Sequence, residues 1–207
     1  MKALSYLALG DSYTIGTGAS SESNNYPSIL AARLSEATGA SVGLTNPAVN
    51  GFTTQDLIDH ELGFVGRIKP DLVTVLIGVN DIVQGRPAAA YTRSLAVIYD
   101  AVAALALPTG RVAAISIPNW SVVPAAAGFG DPGRLRRLTD ELNGLAQRDA
   151  SRRGFTWVDI TEVSTSRHGS AGWISSDQLH PGDSQYAAWA DVIWESVKES
   201  WTGAATD

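Results

Sequence analysis

Short apolar runs rich in branched residues recur along the chain: Leu4 to Leu9, Val42 to Leu44, Leu72 to Ile77, Val112 to Ile117 and Phe155 to Ile160. Each is short and almost continuously apolar, which is the pattern of strands buried on both faces. Between them lie longer segments whose apolar residues fall three and four apart, such as Tyr26/Ile29/Leu30/Leu34 and Leu135/Leu138/Leu142/Leu145. That spacing places them on one face of a helix. Strand then helix, repeated, predicts an α/β fold with a mostly parallel sheet, because each right-handed crossover lays a helix over the sheet.

Helix starts are marked at Asn24-Asn25 before Tyr26-Pro27, at Arg86-Pro87, at Gly130-Asp131-Pro132-Gly133 and at Pro181-Gly182-Asp183. Gly39 and Gly154 follow helical runs and suit left-handed C-caps. No internal repeat is visible. The pattern predicts one domain over residues 1–201, with the small and polar stretch Thr202 to Asp207 as a frayed tail.

Composition sharpens this picture by exclusion. With 207 residues, 44% of them hydrophobic, the chain can bury roughly 70% of its unfolded surface around one core. A formal charge of −6 argues against nucleic acid as a partner, since a phosphate-tracking protein presents a basic face. The absence of cysteine removes disulfides, thiolate nucleophiles and cysteine metal sites together. The run Ala3 to Leu9 is too short for the apolar region of an export signal, and Leu95 to Leu107 is interrupted by Tyr99 and Asp100, short of the ~20 residues of a spanning helix. No integral membrane segment is predicted, and a cytoplasmic location is expected. A secreted protein whose leader had been replaced by a new Met would look the same.

In open α/β sheets ligands gather at the carboxyl ends of the strands, and there the polar residues become specific. After the first strand comes Gly10-Asp11-Ser12, where a serine beside a glycine turn can present its hydroxyl as a nucleophile, although the same triplet is common turn chemistry. After the second comes Asn50-Gly51-Phe52-Thr53-Thr54; Gly51 sits where a loop feeds a helix that Thr53 or Thr54 can cap, and its N–H can be aimed at developing negative charge. The alternative is a plain Asn-Gly turn. After the third comes Gly78-Val79-Asn80-Asp81, in which the Asn80 amide can donate to an oxyanion without proton transfer, or simply cap a helix. Near the C-terminus comes Asp177-Gln178-Leu179-His180; three residues apart on a helical turn, the acid can accept the imidazole Nδ1–H and leave Nε2 as a base.

Each motif alone is weak, but together they follow successive strand signals and supply every part of an acyl-transfer site. On these blocks the chain resembles the GDSL family of hydrolases within the SGNH superfamily, from Gly10-Asp11-Ser12 through Gly51 and Gly78 to Asp81 to the block Asp177 to His180. The resemblance implies a serine esterase on a flavodoxin-like three-layer α/β/α sandwich with a five-stranded sheet. It implies Ser12 as nucleophile, His180 as base, Asp177 as its orienting acid, an oxyanion hole from Ser12, Gly51 and Asn80, a small-molecule ester substrate, and no metal or organic cofactor. One departure matters: Tyr13 and Thr14 follow Ser12 where the family often has Leu-Ser, so Tyr13 either narrows the pocket or offers it a hydroxyl.

Other readings fit less well. Gly16-Thr17-Gly18 lacks the third glycine of a dinucleotide fingerprint. Asp56, Asp59, His60 and Glu61 lack the paired histidines of a helical zinc motif and read as a solvated face. A catalytically silent binding module would not need nucleophile, base and orienting acid together. Trp120, in the apolar loop after the fourth strand, and Trp173, just before Asp177, are expected with Tyr13 to wall a small acyl pocket. Short-chain esters are therefore expected, with acetylated carbohydrate as the next choice and lysophospholipase- or thioesterase-type substrates after it.

Overall fold

The computed structural model describes residues 3–206. Strand β1 (Ala3–Gly10) runs through the one-turn helix α1 (Ser12–Ile15) and a 3-10 turn to α2 (Tyr26–Thr38) and strand β2 (Ser41–Thr45). Helices α3 (Thr54–His60) and α4 (Gly63–Ile68) lead to β3 (Leu72–Leu76), then α5 (Val79–Val83) and α6 (Ala88–Ala103) to β4 (Val112–Ile115). A 3-10 segment, Pro124–Phe129, precedes α7 (Pro132–Arg152), β5 (Thr156–Val158) and the last helix α8 (Asp183–Gly203). The strands form one all-parallel sheet in the order β2-β1-β3-β4-β5.

The helix starts follow from their caps. The Asn25 side chain accepts the Ser28 N–H ahead of α2, Asp131 accepts the Arg134 N–H ahead of α7, and Gly39 closes α2 with φ 70°. Crossovers leftward from β1 and rightward from β3 set α2 against α8 on one face and α3, α6 and α7 side by side on the other. The sheet is buried between them: β3 is inaccessible along its length, and α8 contributes Tyr186, Trp189, Ile193, Val197 and Trp201 at helical spacing. Strand order reverses direction at β1, so the segments that follow the paired carboxyl ends of β1 and β3 leave toward opposite sides and open a crevice there.

Two expectations are corrected. Strand β2 is only half-buried, because it lies at the sheet edge with β1 alone as neighbour. The tail expected from Thr202 is instead the last turn of α8 as far as Gly203, followed by a fully buried Ala204; Asp207 lies outside the described residues. Trp201, wholly buried against Tyr6 with ring centroids 5.0 Å apart, anchors that end, and Ser200 Oγ donates to the Gly110 carbonyl at 2.8 Å. Among the described residues no helix is long and apolar enough to cross a membrane.

Candidate active site

The turn after β1 is dictated by crowding. A Cβ on Gly10 would lie 2.1 Å from Thr14 Oγ1 and 2.4 Å from the Leu76 carbonyl, so only glycine lets the chain leave the sheet here. Asp11 then caps α1 by accepting the Tyr13 N–H at 3.0 Å, and Gly16 ends the helix at φ 92°. Ser12 is thereby held at the first helical position over the crevice, nearly buried, and among the described residues its own N–H meets no acceptor.

A further donor, on Asn80, approaches from a neighbouring element, whereas Gly51 does not line the cavity of Ser12. Gly78 (φ 131°) turns the chain out of β3 where the Tyr91 ring leaves no room for a Cβ, and places Asn80 in the first turn of α5. One Asn80 Nδ2–H is donated to the Phe52 carbonyl at 3.0 Å, and among the described residues no acceptor takes the other. Asp81 points inward, accepts the Thr54 N–H (2.9 Å) and hydroxyl (2.7 Å), and pairs with Arg86 at 3.1 Å. These contacts staple the loop of Gly51 to α5. Gly51 itself adopts φ 82° and is exposed; a Cβ there would meet nothing within 4 Å, so the left-handed backbone, not crowding, calls for glycine. Thr53 caps α3 in a capping box with Asp56.

Asp177 and His180 meet, but on a tight loop ahead of α8 and not on a helix. The loop is closed by the Ile174–Pro181 bridge and by the Ser175 N–H donating to the His180 carbonyl at 2.9 Å, and Gln178 takes the left-handed conformation (φ 61°) at its tip. Asp177 Oδ1 accepts from Ser175 Oγ (2.6 Å), the Leu179 N–H (2.8 Å) and the His180 N–H (2.9 Å), while Oδ2 lies 2.6 Å from His180 Nδ1. Partial burial works to raise the Asp177 carboxyl, but these bonds outweigh it and hold it well below the usual carboxylate range. An ionised acid at Nδ1 keeps the proton on that nitrogen and leaves Nε2 as the acceptor. The imidazole is also braced by Tyr13, edge-on with centroids 6.1 Å apart.

Ser12, Asn80 and His180 line one cavity of about 60 Å³, walled by Tyr13, Val79, Val83, Trp120, Phe129 and Leu179. No hydrogen bond joins Ser12 Oγ to His180 among the described residues; serine and imidazole share the cavity without closing on each other. Trp120 is fixed as a wall by its Nε1–H to Thr139 Oγ1 (3.2 Å) and by the Phe129 ring. Trp173 is not in the wall. It is fully buried on the other side of the loop and donates its Nε1–H to the Ser164 carbonyl at 3.0 Å, because the Gly182 N–H ties its carbonyl at the base of the loop and turns the ring inward. A larger cleft of about 630 Å³ opens at the amino end of β3 beside Lys69 and Asp71, remote from these groups.

The acidic stretch on α3 also differs from its expected solvated face. Asp56 belongs to the capping box and Asp59 accepts from Gln55, but Glu61 is completely buried and its Oε2 accepts the Gly10 N–H at 2.9 Å. The signal was periodic: Thr54, Leu57 and Glu61 share the inward face of α3. Burial, reinforced by the charge of Asp11, pushes the Glu61 carboxyl up to about 8, and burial with the charge of Asp81 pushes Asp11 up to about 7.

Residues 8–188 match the model of the GDSL-like Lipase/Acylhydrolase family. A lipase of Streptomyces rimosus is 27% identical over 225 residues, which cover 90% of this chain and 81% of the lipase. Among solved structures, the family 3 carbohydrate esterase of Clostridium thermocellum aligns over 99% of this chain and 100% of its own at TM-score 0.77 and 19% identity. The lipase/acylhydrolase of Enterococcus faecalis aligns over 97% of both chains at TM-score 0.75 and 20% identity. At these identities the structural likeness speaks for a common fold.

Proposed function

The chain belongs to the GDSL-like lipase/acylhydrolase family and is a carboxylic ester hydrolase, and from that premise we propose that it cleaves short-chain acyl esters through an acyl-enzyme on Ser12. Ser12 Oγ attacks the ester carbonyl as His180 Nε2 takes its proton, and Asp177 holds the imidazole tautomer and stabilises the imidazolium. The oxyanion is met by the N–H groups of Ser12 and Gly51 and by the unspent N–H of Asn80. His180 returns the proton to the leaving alcohol, then activates the water that releases the acid and frees Ser12.

The observation that carries the chain-length reading is the size of the cavity shared by Ser12, Asn80 and His180. At about 60 Å³ it is far smaller than a drug-sized site. An acetyl to butyryl group fits such a space between Trp120 and Tyr13. The carbohydrate esterase that shares this fold favours O-deacetylation of a carbohydrate as a second reading.

Aryl esters from acetyl to dodecanoyl, assayed beside acetylated sugars, test both readings. Acetyl to butyryl should be best and octanoyl clearly worse; a steady rise through decanoyl would mean an open groove and a long-chain lipid or thioester substrate. Ser12→Ala should lower kcat by at least ~10³-fold and abolish labelling by a serine-directed phosphonate, with the fold intact. A fully active variant would move the nucleophile elsewhere, and an unlabelled, inactive parent would leave a binding module.

A further inference from the structure

The residues at the two ends of helix α3 reach both the Asn80 donor and the strand that leads into Ser12. Its amino end carries the Gly51 loop, whose Phe52 carbonyl grips Asn80 and whose Thr54 is held by Asp81. Its carboxyl end delivers Glu61 to the last residue of β1, two positions before Ser12. The need for a side chain there is topological. Strand β2 pairs with β1 only as far as Leu7 opposite Thr45, so the Gly10 N–H finds its acceptor in the Glu61 carboxyl, buried in the core. On the other side Gly10 is pressed against the Leu76 carbonyl and Thr14, so the peptide is held from both sides.

We propose that Glu61 is a positioning residue for the nucleophile: from one end of α3 it holds the peptide leading into Ser12 in register with the Gly51 and Asn80 donors governed by the other end. This inference rests on the functional reading above and deepens it.

The chemistry of the contact is specific. Glu61 Oε1 and Asp11 Oδ2 are both buried without a donor, and among the described residues no Lys or Arg pairs with either carboxyl. Burial without a cation disfavours the charged form of either carboxyl. The ionisable groups turned toward the pair are Asp81 of α5, itself offset by Arg86, and the hydroxyls of Tyr13 of α1, Tyr26 of α2 and Tyr186 of α8. Each acid or phenol among them opposes a second negative charge. Burial thus displaces the Glu61 titration upward, while protonated or ionised the carboxyl can accept the Gly10 N–H.

The test compares Glu61→Gln and Glu61→Leu with the parent, in the full chain, by acetyl-ester hydrolysis and by the rate of phosphonate capture at Ser12. Glutamine keeps an acceptor for Gly10 in nearly the same volume; it should hold kcat within about threefold of the parent. Leucine fills the space but accepts nothing; kcat and capture should fall about 10- to 100-fold while KM stays within about twofold, as small misplacements at a reacting centre do. An unchanged kcat in Glu61→Leu, or a glutamine variant as impaired as the leucine one, overturns the inference. Should Glu61→Leu not fold, Glu61→Asp decides: its carboxyl is one methylene short of the Gly10 N–H, so kcat and capture should fall at least about 10-fold at nearly constant KM; parental kcat in that variant overturns the inference. A parent that neither hydrolyses the ester nor captures phosphonate defeats the functional reading, and this inference with it.

Discussion

Replacing Asp177 by Asn tests the relay with little disturbance of the loop. The two oxygens of Asp177 have separate duties: Oδ1 collects Ser175 Oγ, the Leu179 N–H and the His180 N–H, and Oδ2 alone faces His180 Nδ1 at 2.6 Å. An asparagine can leave its carbonyl at the Oδ1 position and keep all the loop bonds. Its NH₂ then faces Nδ1, which must become an acceptor, so the ring proton moves to Nε2 and the base is lost. The expected loss in kcat is roughly 10⁴-fold, equivalent to about 5.5 kcal/mol in the barrier. Stability should barely change, because the side chains are 42% (Asp177) and 18% (His180) exposed and such a pair contributes about 1 kcal/mol or less, a few degrees in Tm for a chain of this size. Asp81→Asn is the contrast: it disturbs a wholly buried acceptor of Thr54 paired with Arg86, so the cost should fall on stability, about 3 kcal/mol or more, and less on kcat per folded molecule. Acetyl-ester kinetics and calorimetry on both variants separate the cases. Folded Asp81→Asn without turnover, beside Asp177→Asn retaining more than about a tenth of parental kcat, would refute the assignment.

Asn80→Ala should lower kcat by ~10² to 10³-fold at nearly constant KM, as loss of one oxyanion donor does; a pure KM effect would make Asn80 a substrate-binding residue. Trp120→Ala should move the acyl optimum to longer chains, each fitting methylene adding about 0.8 kcal/mol or up to ~4-fold in kcat/KM, whereas Trp173→Ala should cost about 3–5 kcal/mol of stability and leave the acyl profile unchanged. Identical profiles for parent and Trp120→Ala would take Trp120 out of the wall. Asp11 and Glu61 hold their protons more tightly folded than unfolded, from ordinary values of 3.8 and 4.5 up to about 7 and about 8. Their contribution to stability is thus complete below pH ~4 and is lost as pH rises through that window, by up to about 1.4 kcal/mol per pH unit for each extra proton held. Urea midpoints should decline from pH 5 to 8, and Glu61→Gln should flatten the upper part; a flat parent curve would show the pair already ionised.

Much of this molecule was legible in its order of residues, and the legible part is local. Runs such as Leu72 to Leu76 and caps such as Asn25 and Asp131 depend on neighbours a few positions away, so period and capping chemistry are enough to place them. The polar residues directly after β1, β2 and β3 were legible for the same reason: a parallel sheet delivers its strand ends to one edge whatever the helices do. Three matters were decided only by tertiary structure. Trp120 and Trp173 are equally apolar loop residues, and only the way each loop closes sends one ring into the cavity and the other beneath the Asp177 loop. Thr202 onward reads as polar tail, yet the buried Trp201 ring and the Ser200–Gly110 bond keep Thr202 and Gly203 in α8. Glu61 reads as one more surface acid beside Asp56 and Asp59 until β2 is seen to stop short of Gly10, leaving a buried N–H for its carboxyl to satisfy. The physical reason is common to all three: a residue's own preferences act over a turn or a strand, whereas the partner that overrides them lies tens of residues away and is present only when the chain has folded.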